Sequence, residues 1–100
     1  MPGIVINGDS IVCAAKHVAA ATAPDERETV IVDPVSGRYY GLDAYAVRVW
    51  ELVQQPRRVG ELLDTLLLEY EVERDVLFED MTGLLRELAE AGLVEVTSET

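Results

Sequence analysis

The sequence SGRYYGLDAYAVRVWEL, residues 36–52, places a turn, a strand and a helix in immediate succession. Ser36-Gly37 predicts a turn, because glycine adopts positive φ without a steric penalty. An aromatic strand is expected over Arg38–Leu42 and an amphipathic helix from Asp43 to about Val53. The Asp43 carboxylate is a suitable N-cap, since it can accept from the free N–H groups of the first turn. Such a junction between sheet and helix forms a groove that suits a peptide.

The residues before this junction predict two more strands. Ser10–Ala15, extending as far as Ala20, alternates between two faces, although its alanines also have good helix propensity. A second strand is expected over Glu28–Val32 after a turn at residues 23–26. A hairpin loop at residues 33–37 would then pair that strand antiparallel with Arg38–Leu42. Residues 1–9 predict a loosely ordered start.

The residues after the junction predict two more helices and a short extended end. Leucines at helical spacing place one helix over Val59–Tyr70 and another from Arg74 or Asp75 to about Ala91. Gly92 ends the latter in left-handed geometry. Leu93–Val96 is expected as a short strand or extended segment, with residues 97–100 as a tail. The whole chain, residues 1–100, therefore predicts one α+β domain, a winged helix-turn-helix-like fold in which an N-terminal three-stranded antiparallel sheet packs on three helices.

Charge is unevenly distributed along the 100 residues, whose net charge is −11. Residues 1–60 carry seven acids and six bases, whereas residues 61–100 carry twelve acids and only two bases. The C-terminal half would repel a phosphate backbone, which argues against nucleic acid as a partner. It would attract a cationic peptide or protein surface, although a solvated surface that favours solubility is an equally good explanation.

No catalytic or metal-binding pattern is found in the sequence. Cys13 and His17 lie four residues apart, but zinc needs three or four ligands and the chain has no other cysteine or histidine. There is no glycine-rich phosphate loop. We therefore expect neither an enzyme nor a cofactor. No signal peptide and no apolar run of about 20 residues is present, so we expect a cytoplasmic protein without a membrane partner.

Several motifs, taken in order, resemble the PqqD-like family of peptide-binding domains. They are ETVIVDPVSGRYYGLD, the AxxVWELV helix at residues 46–53, VGELLDTLLLEY, and the D-M-x-x-L-L-x-x-L-x-x-x-G-L-V pattern at residues 80–94. Members of that family are RiPP recognition elements, which bind the leader segment of a ribosomally made precursor peptide. The resemblance implies that a leader adds as a further antiparallel strand between the third strand of the sheet and the third helix.

The resemblance is strongest to the free-standing leader-binding proteins of lasso peptide pathways, and it implies a leader peptidase and a cyclase as partners. A PqqD-type peptide chaperone that serves a radical enzyme is the nearest alternative. Two further alternatives are an acidic adaptor that binds a protein surface and a DNA-binding winged helix. The negative charge argues against the latter. We expect a monomer or a weak dimer.

The candidate peptide-binding residues divide into three groups. The strand would supply backbone pairing, because a sheet edge presents unpaired N–H and C=O groups and glycine lets a guest backbone approach closely. The third helix would supply apolar pockets and acidic partners for basic leader residues. The acidic position of the family on this helix matches Asp80. The predicted set is Arg38, Tyr39, Tyr40 and Gly41 on the strand, Val76, Leu77 and Leu84 in the pockets, and Glu79, Asp80 and Glu87 as acids.

Overall fold

The computed structural model describes residues 6–22, 29–35 and 37–98. The strands are β1 (Ser10–Ala14), β2 (Ala19–Thr22), β3 (Thr29–Asp33), β4 (Arg38–Leu42), β5 (Arg57–Arg58) and β6 (Val94–Ser98). The helices are α1 (Ala44–Leu52), α2 (Val59–Leu67) and α3 (Arg74–Glu90). The predicted α+β class and the three helices are thus confirmed, whereas no finding supports the winged helix-turn-helix comparison.

The strands form two antiparallel three-stranded sheets. Sheet I has the order β5-β1-β6, and sheet II has the order β2-β3-β4. The N-terminal strand, which we expected in the same sheet as Arg38–Leu42, instead pairs with the C-terminal strand from Ser10↔Ser98 to Ala14↔Val94. The expected extension of this strand to Ala20 is wrong, because a turn at residues 16–17 separates β1 from β2. Pairing between strands so far apart in sequence leaves no local signal.

The described parts of the predicted loose start and tail, residues 6–9 and 97–98, are ordered. Within the predicted loose start, Ile6 is buried, and the Asn7 carboxamide oxygen accepts from the Asp9 N–H at 2.9 Å. Within the predicted tail, Thr97 and Ser98 belong to β6. Residues 1–5, 99–100 and the predicted turn at residues 23–26 lie outside the described residues.

One apolar core lies between the sheets and the helices. Helix α2 contacts α3 and β1, helix α3 contacts β6, and α1 contacts β4. The largest side chains that are fully buried come from both sheets and all three helices, and they include Val12, Ile31, Val49, Leu62, Leu66, Met81, Leu85 and Leu93. Trp50 is 4% exposed in this core, as the helical spacing predicts.

The turn and cap signals of the junction are confirmed. Gly37 has φ +74° in the β3–β4 hairpin, and Gly92 has φ +79° after α3. Asp43 is extended, and its Oδ1 accepts from the Ala46 N–H at 2.8 Å. Helix α2, in contrast, ends at Leu67 instead of Tyr70. Of these features, the turn at Gly37 and the cap at Asp43 lie at the two ends of β4 and determine how this strand leads into α1.

The Asp43 cap provides a test of the junction. Asp43→Ala removes the acceptor of the Ala46 N–H, and we expect the free energy of unfolding to fall by about 1 kcal/mol. In a domain of this size that lowers Tm by about 4–8 °C. Asp43→Asn, which keeps a cap acceptor, should unfold close to the wild-type temperature. Equal falls for both variants in thermal denaturation would contradict the cap's contribution.

Candidate peptide-binding site

Strand β4 has an open backbone edge among the described residues. It pairs with β3 on one side, from Thr29↔Leu42 to Asp33↔Arg38, and no described strand pairs with its other side. Strand β2 forms the opposite edge of the same sheet. An open edge carries unpaired N–H and C=O groups, and a guest strand can satisfy them. The prediction that Arg38–Leu42 lies at an edge is confirmed.

The two tyrosines of β4 point to opposite faces, as strand geometry requires. Tyr40 is half-buried against the core, opposite the fully buried Ile31. Tyr39 is 73% exposed on the outer face, and Gly41, on that same face, has no neighbour that a Cβ atom would meet. The outer face of β4 is therefore open at Tyr39 and Gly41.

Helix α3 places four of the six predicted helix residues on one face. Val76, Asp80, Leu84 and Glu87 follow one another at spacings of four, four and three, so their side chains lie in one row along the helix. Val76 is 51% exposed, Asp80 and Glu87 are exposed, and Leu84 is half-buried against the core. This row, called here the α3 row, combines apolar and acidic groups that a guest can reach.

The other two helix residues are not in this row. Leu77 is 4% exposed within the core, so it supports the helix from beneath and cannot line an open pocket without rearrangement. Glu79 is exposed but shares a face with Gly83, Arg86 and Glu90, away from the core. Leu77 and Glu79 were included in the predicted set because the sequence does not fix the rotation of α3 about its axis.

Tyr45, which the sequence did not predict as a site residue, links the start of α1 to the segment between α2 and α3. Its ring meets that of Tyr70 edge-to-face, with centroids 5.7 Å apart and planes at 82°. Burial, followed by the negative charge of Asp80, raises the pKa of the Tyr45 phenol to about 12. The phenol is therefore neutral at physiological pH, and Asp80 lies within its electrostatic reach. Only the tertiary structure reveals this proximity, because residues 45 and 80 are on separate helices.

The hydroxyl of Tyr45 has an unusual environment. It is buried and has no hydrogen-bond partner among the described residues. A buried hydroxyl without a partner costs about 1–3 kcal/mol relative to a satisfied one. Phenylalanine would fill the same space without this cost, so stability alone does not account for a tyrosine here.

An ion pair next to Tyr45 ties α1 to the end of α2. The Arg48 guanidinium donates to Glu69 through Nε at 2.8 Å and Nη2 at 2.7 Å. These hydrogen bonds hold the pKa of the Glu69 carboxyl below its usual range. Together with the Tyr45–Tyr70 contact, the pair fixes the segment that leads into α3 against α1.

No group of three or more His, Cys, Asp and Glu side chains within residues 6–22, 29–35 and 37–98 could hold a metal ion. His17 Nε2 lies 3.8 Å from Asp33 Oδ2. Cys13 is a half-buried thiol in β1, opposite Glu95. In this same part of the chain no pocket is found, and no helix is long and apolar enough to cross a membrane.

A comparison of the sequence with models of known protein families finds a match. Residues 28–94 match the family model described as coenzyme PQQ synthesis protein D (PqqD). This match spans the hairpin with the open edge, all three helices and the first residue of β6. The chain belongs to the PqqD family.

Solved structures agree with this family assignment. The PqqD-family chain is 31% identical to TbiB1, solved in complex with the TbiA(beta) leader peptide, over 87% of this chain and 99% of that one, with a TM-score of 0.74. A lasso peptide synthetase B1, complexed with the leader peptide, is 24% identical over 84% and 96% (TM-score 0.72). The PqqD truncation of Methylobacterium extorquens PqqCD, described as a stand-alone RiPP recognition element, is 22% identical over 91% and 95% (TM-score 0.75). These last two support the fold. No curated protein sequence matches.

Proposed function

We propose that this PqqD-family chain is a non-catalytic RiPP recognition element that binds the leader segment of a lasso peptide precursor. The observation that carries the proposal is the similarity to TbiB1, which extends over 99% of that chain and whose structure holds a leader peptide. The bound leader is presented to a separate leader peptidase and cyclase. In this role the chain supplies affinity and orientation, and its partners supply the chemistry.

The open edge of β4 supports strand addition as the binding mode. A leader segment in extended conformation pairs with the backbone of Arg38, Tyr39, Tyr40 and Gly41. Main-chain hydrogen bonds then provide affinity that is independent of the leader's side chains. Gly41, exposed and without neighbours that a Cβ would meet, leaves room for the guest backbone.

The α3 row supports the side-chain part of recognition. A guest strand alternates its side chains between two faces, so every second residue points towards the helix. Val76 and Leu84 offer apolar contact there, and Asp80 and Glu87 attract basic side chains. The net charge of −10 over residues 61–100 raises the local concentration of a cationic leader and speeds its association at low salt.

Titration with a labelled leader tests this proposal. We expect a synthetic, fluorescein-labelled leader peptide of the cognate lasso peptide precursor to bind with a Kd below about 10 μM at low salt, about −6.8 kcal/mol. A scrambled peptide of equal composition is the matched control, because it keeps charge and loses sequence. Absence of binding, or equal affinity for both peptides, contradicts specific leader recognition.

A second function has a specific observation in its favour. The matching family model is described by coenzyme PQQ synthesis, so a peptide chaperone that serves a radical maturation enzyme is the alternative. The two functions share the binding edge and differ in the peptide bound. Parallel titrations with a lasso leader and with the precursor peptide of the quinone cofactor separate them by affinity.

A further inference from the structure

The hydroxyl of Tyr45 lies at the meeting point of three elements. Tyr45 is the second residue of α1, only three positions after the end of β4. Its ring contacts Tyr70 beyond the end of α2, and the negative charge of Asp80 on α3 reaches its phenol. Tyr45 therefore belongs to the segment that follows the strand with the open edge, and its phenol is within electrostatic reach of Asp80 in the α3 row.

The free chain gives this hydroxyl nothing to bind among its described residues. The ring alone would satisfy the packing against Tyr70, because an edge-to-face contact needs no hydroxyl. The oxygen can both accept and donate a hydrogen bond. Asp80 is exposed, so its carboxylate is accessible to a guest side chain.

We propose that Tyr45 Oη and the Asp80 carboxylate together receive one Lys or Arg side chain of the bound peptide, an inference that rests on the proposed leader-binding function. The cation donates one hydrogen bond to Asp80 and a second to Tyr45 Oη. The phenolic hydrogen is then free to turn towards the carboxylate. Bonds to a charged donor are stronger than neutral ones, so the hydroxyl contributes to selection of a basic residue at this position.

Tyr45→Phe deletes the hydroxyl and keeps the ring. We expect a Tm equal to or above that of the wild type, because a buried polar atom without a partner is lost. We expect the affinity for the labelled leader to fall about fivefold, equivalent to about 1 kcal/mol. Tyr70→Phe, the same deletion on the contacting ring, is the matched control and should bind within twofold of the wild type. The combination of unchanged stability and weaker binding distinguishes a binding role from a structural one.

A set of leader variants identifies the basic residue. Each Lys or Arg of the leader is replaced by Gln in turn and titrated against the wild type and Tyr45→Phe. For one position the two losses should be non-additive, because both changes remove the same interaction. Wild-type affinity of Tyr45→Phe, a lower Tm, equal losses for Tyr70→Phe, or additivity at every position would each overturn the inference. Lack of binding by the wild-type chain would instead reject the proposed function itself.

Discussion

Asp80→Lys should weaken leader binding about 30-fold at low salt, equivalent to about 2 kcal/mol. The change removes an acidic partner from the centre of the α3 row and places a like charge against a basic guest residue. Asp80 is exposed in the free chain, so we expect no comparable loss of stability. Fluorescence anisotropy with the labelled leader, together with thermal denaturation, measures both quantities.

The control for this prediction keeps the change in net charge constant. Glu90→Lys changes the net charge of α3 by the same +2, but Glu90 is exposed at the end of the helix and outside the α3 row. We expect it to bind within about threefold of the wild type. At 0.5 M salt the gap between the two variants should narrow, because salt screens exposed charges. Equal weakening by both variants would show that binding depends on net charge and not on the position of Asp80.

Two neighbouring leucines of α3 should separate stability from binding. Leu85 is fully buried, and Leu85→Ala should lower the free energy of unfolding by about 2–5 kcal/mol through lost burial and a residual cavity. Leu84 is half-buried in the α3 row, so Leu84→Ala should cost less stability. We expect it to weaken leader binding about five- to tenfold, because a contact surface for the guest is lost.

Chemical denaturation and leader titration measure the two effects for each variant. The folded fraction of Leu85→Ala should keep nearly wild-type affinity, with a lower midpoint of unfolding. The reverse pattern, with intact binding in Leu84→Ala and lost binding in folded Leu85→Ala, would mean that α3 is rotated relative to the described structure. The pair therefore tests the orientation of the helix, which the sequence left open.

Local signals in the sequence predicted much of this fold. Gly37 and Gly92 marked positions of positive φ, Asp43 marked a helix start, and leucine spacing marked α2 and α3. Each depends only on residues within one or two turns of the chain. The composition of sheet I was not predicted, because β1 pairs with the two-residue β5 and with the distant β6. Such pairings depend on the closure of the whole chain.

In the candidate site, too, the features that depend on local sequence were predicted and those that depend on distant residues were not. The open edge of β4 and the row Val76, Asp80, Leu84 and Glu87 agree with strand and helix periodicity. Leu77 was predicted to line a pocket, but it lies in the core. The sequence alone does not show which apolar residues of α3 face the core and which belong to the α3 row. Tyr45 was missed because its electrostatic interaction with Asp80 joins residues that are 35 positions apart and lie on different helices.

The pairing of β1 with β6 also determines when the fold can be completed during protein synthesis. The β3–β4 hairpin and the start of α1 join residues close in sequence, so they can form while later residues are still being made. Sheet I cannot close until Val94–Ser98 has left the ribosome, and ordering contacts between such distant residues is slow. A nascent chain can therefore expose the β4 edge before β6 holds α3 in place. At that stage the β4 edge would pair with other strands less selectively than it does in the fully folded domain.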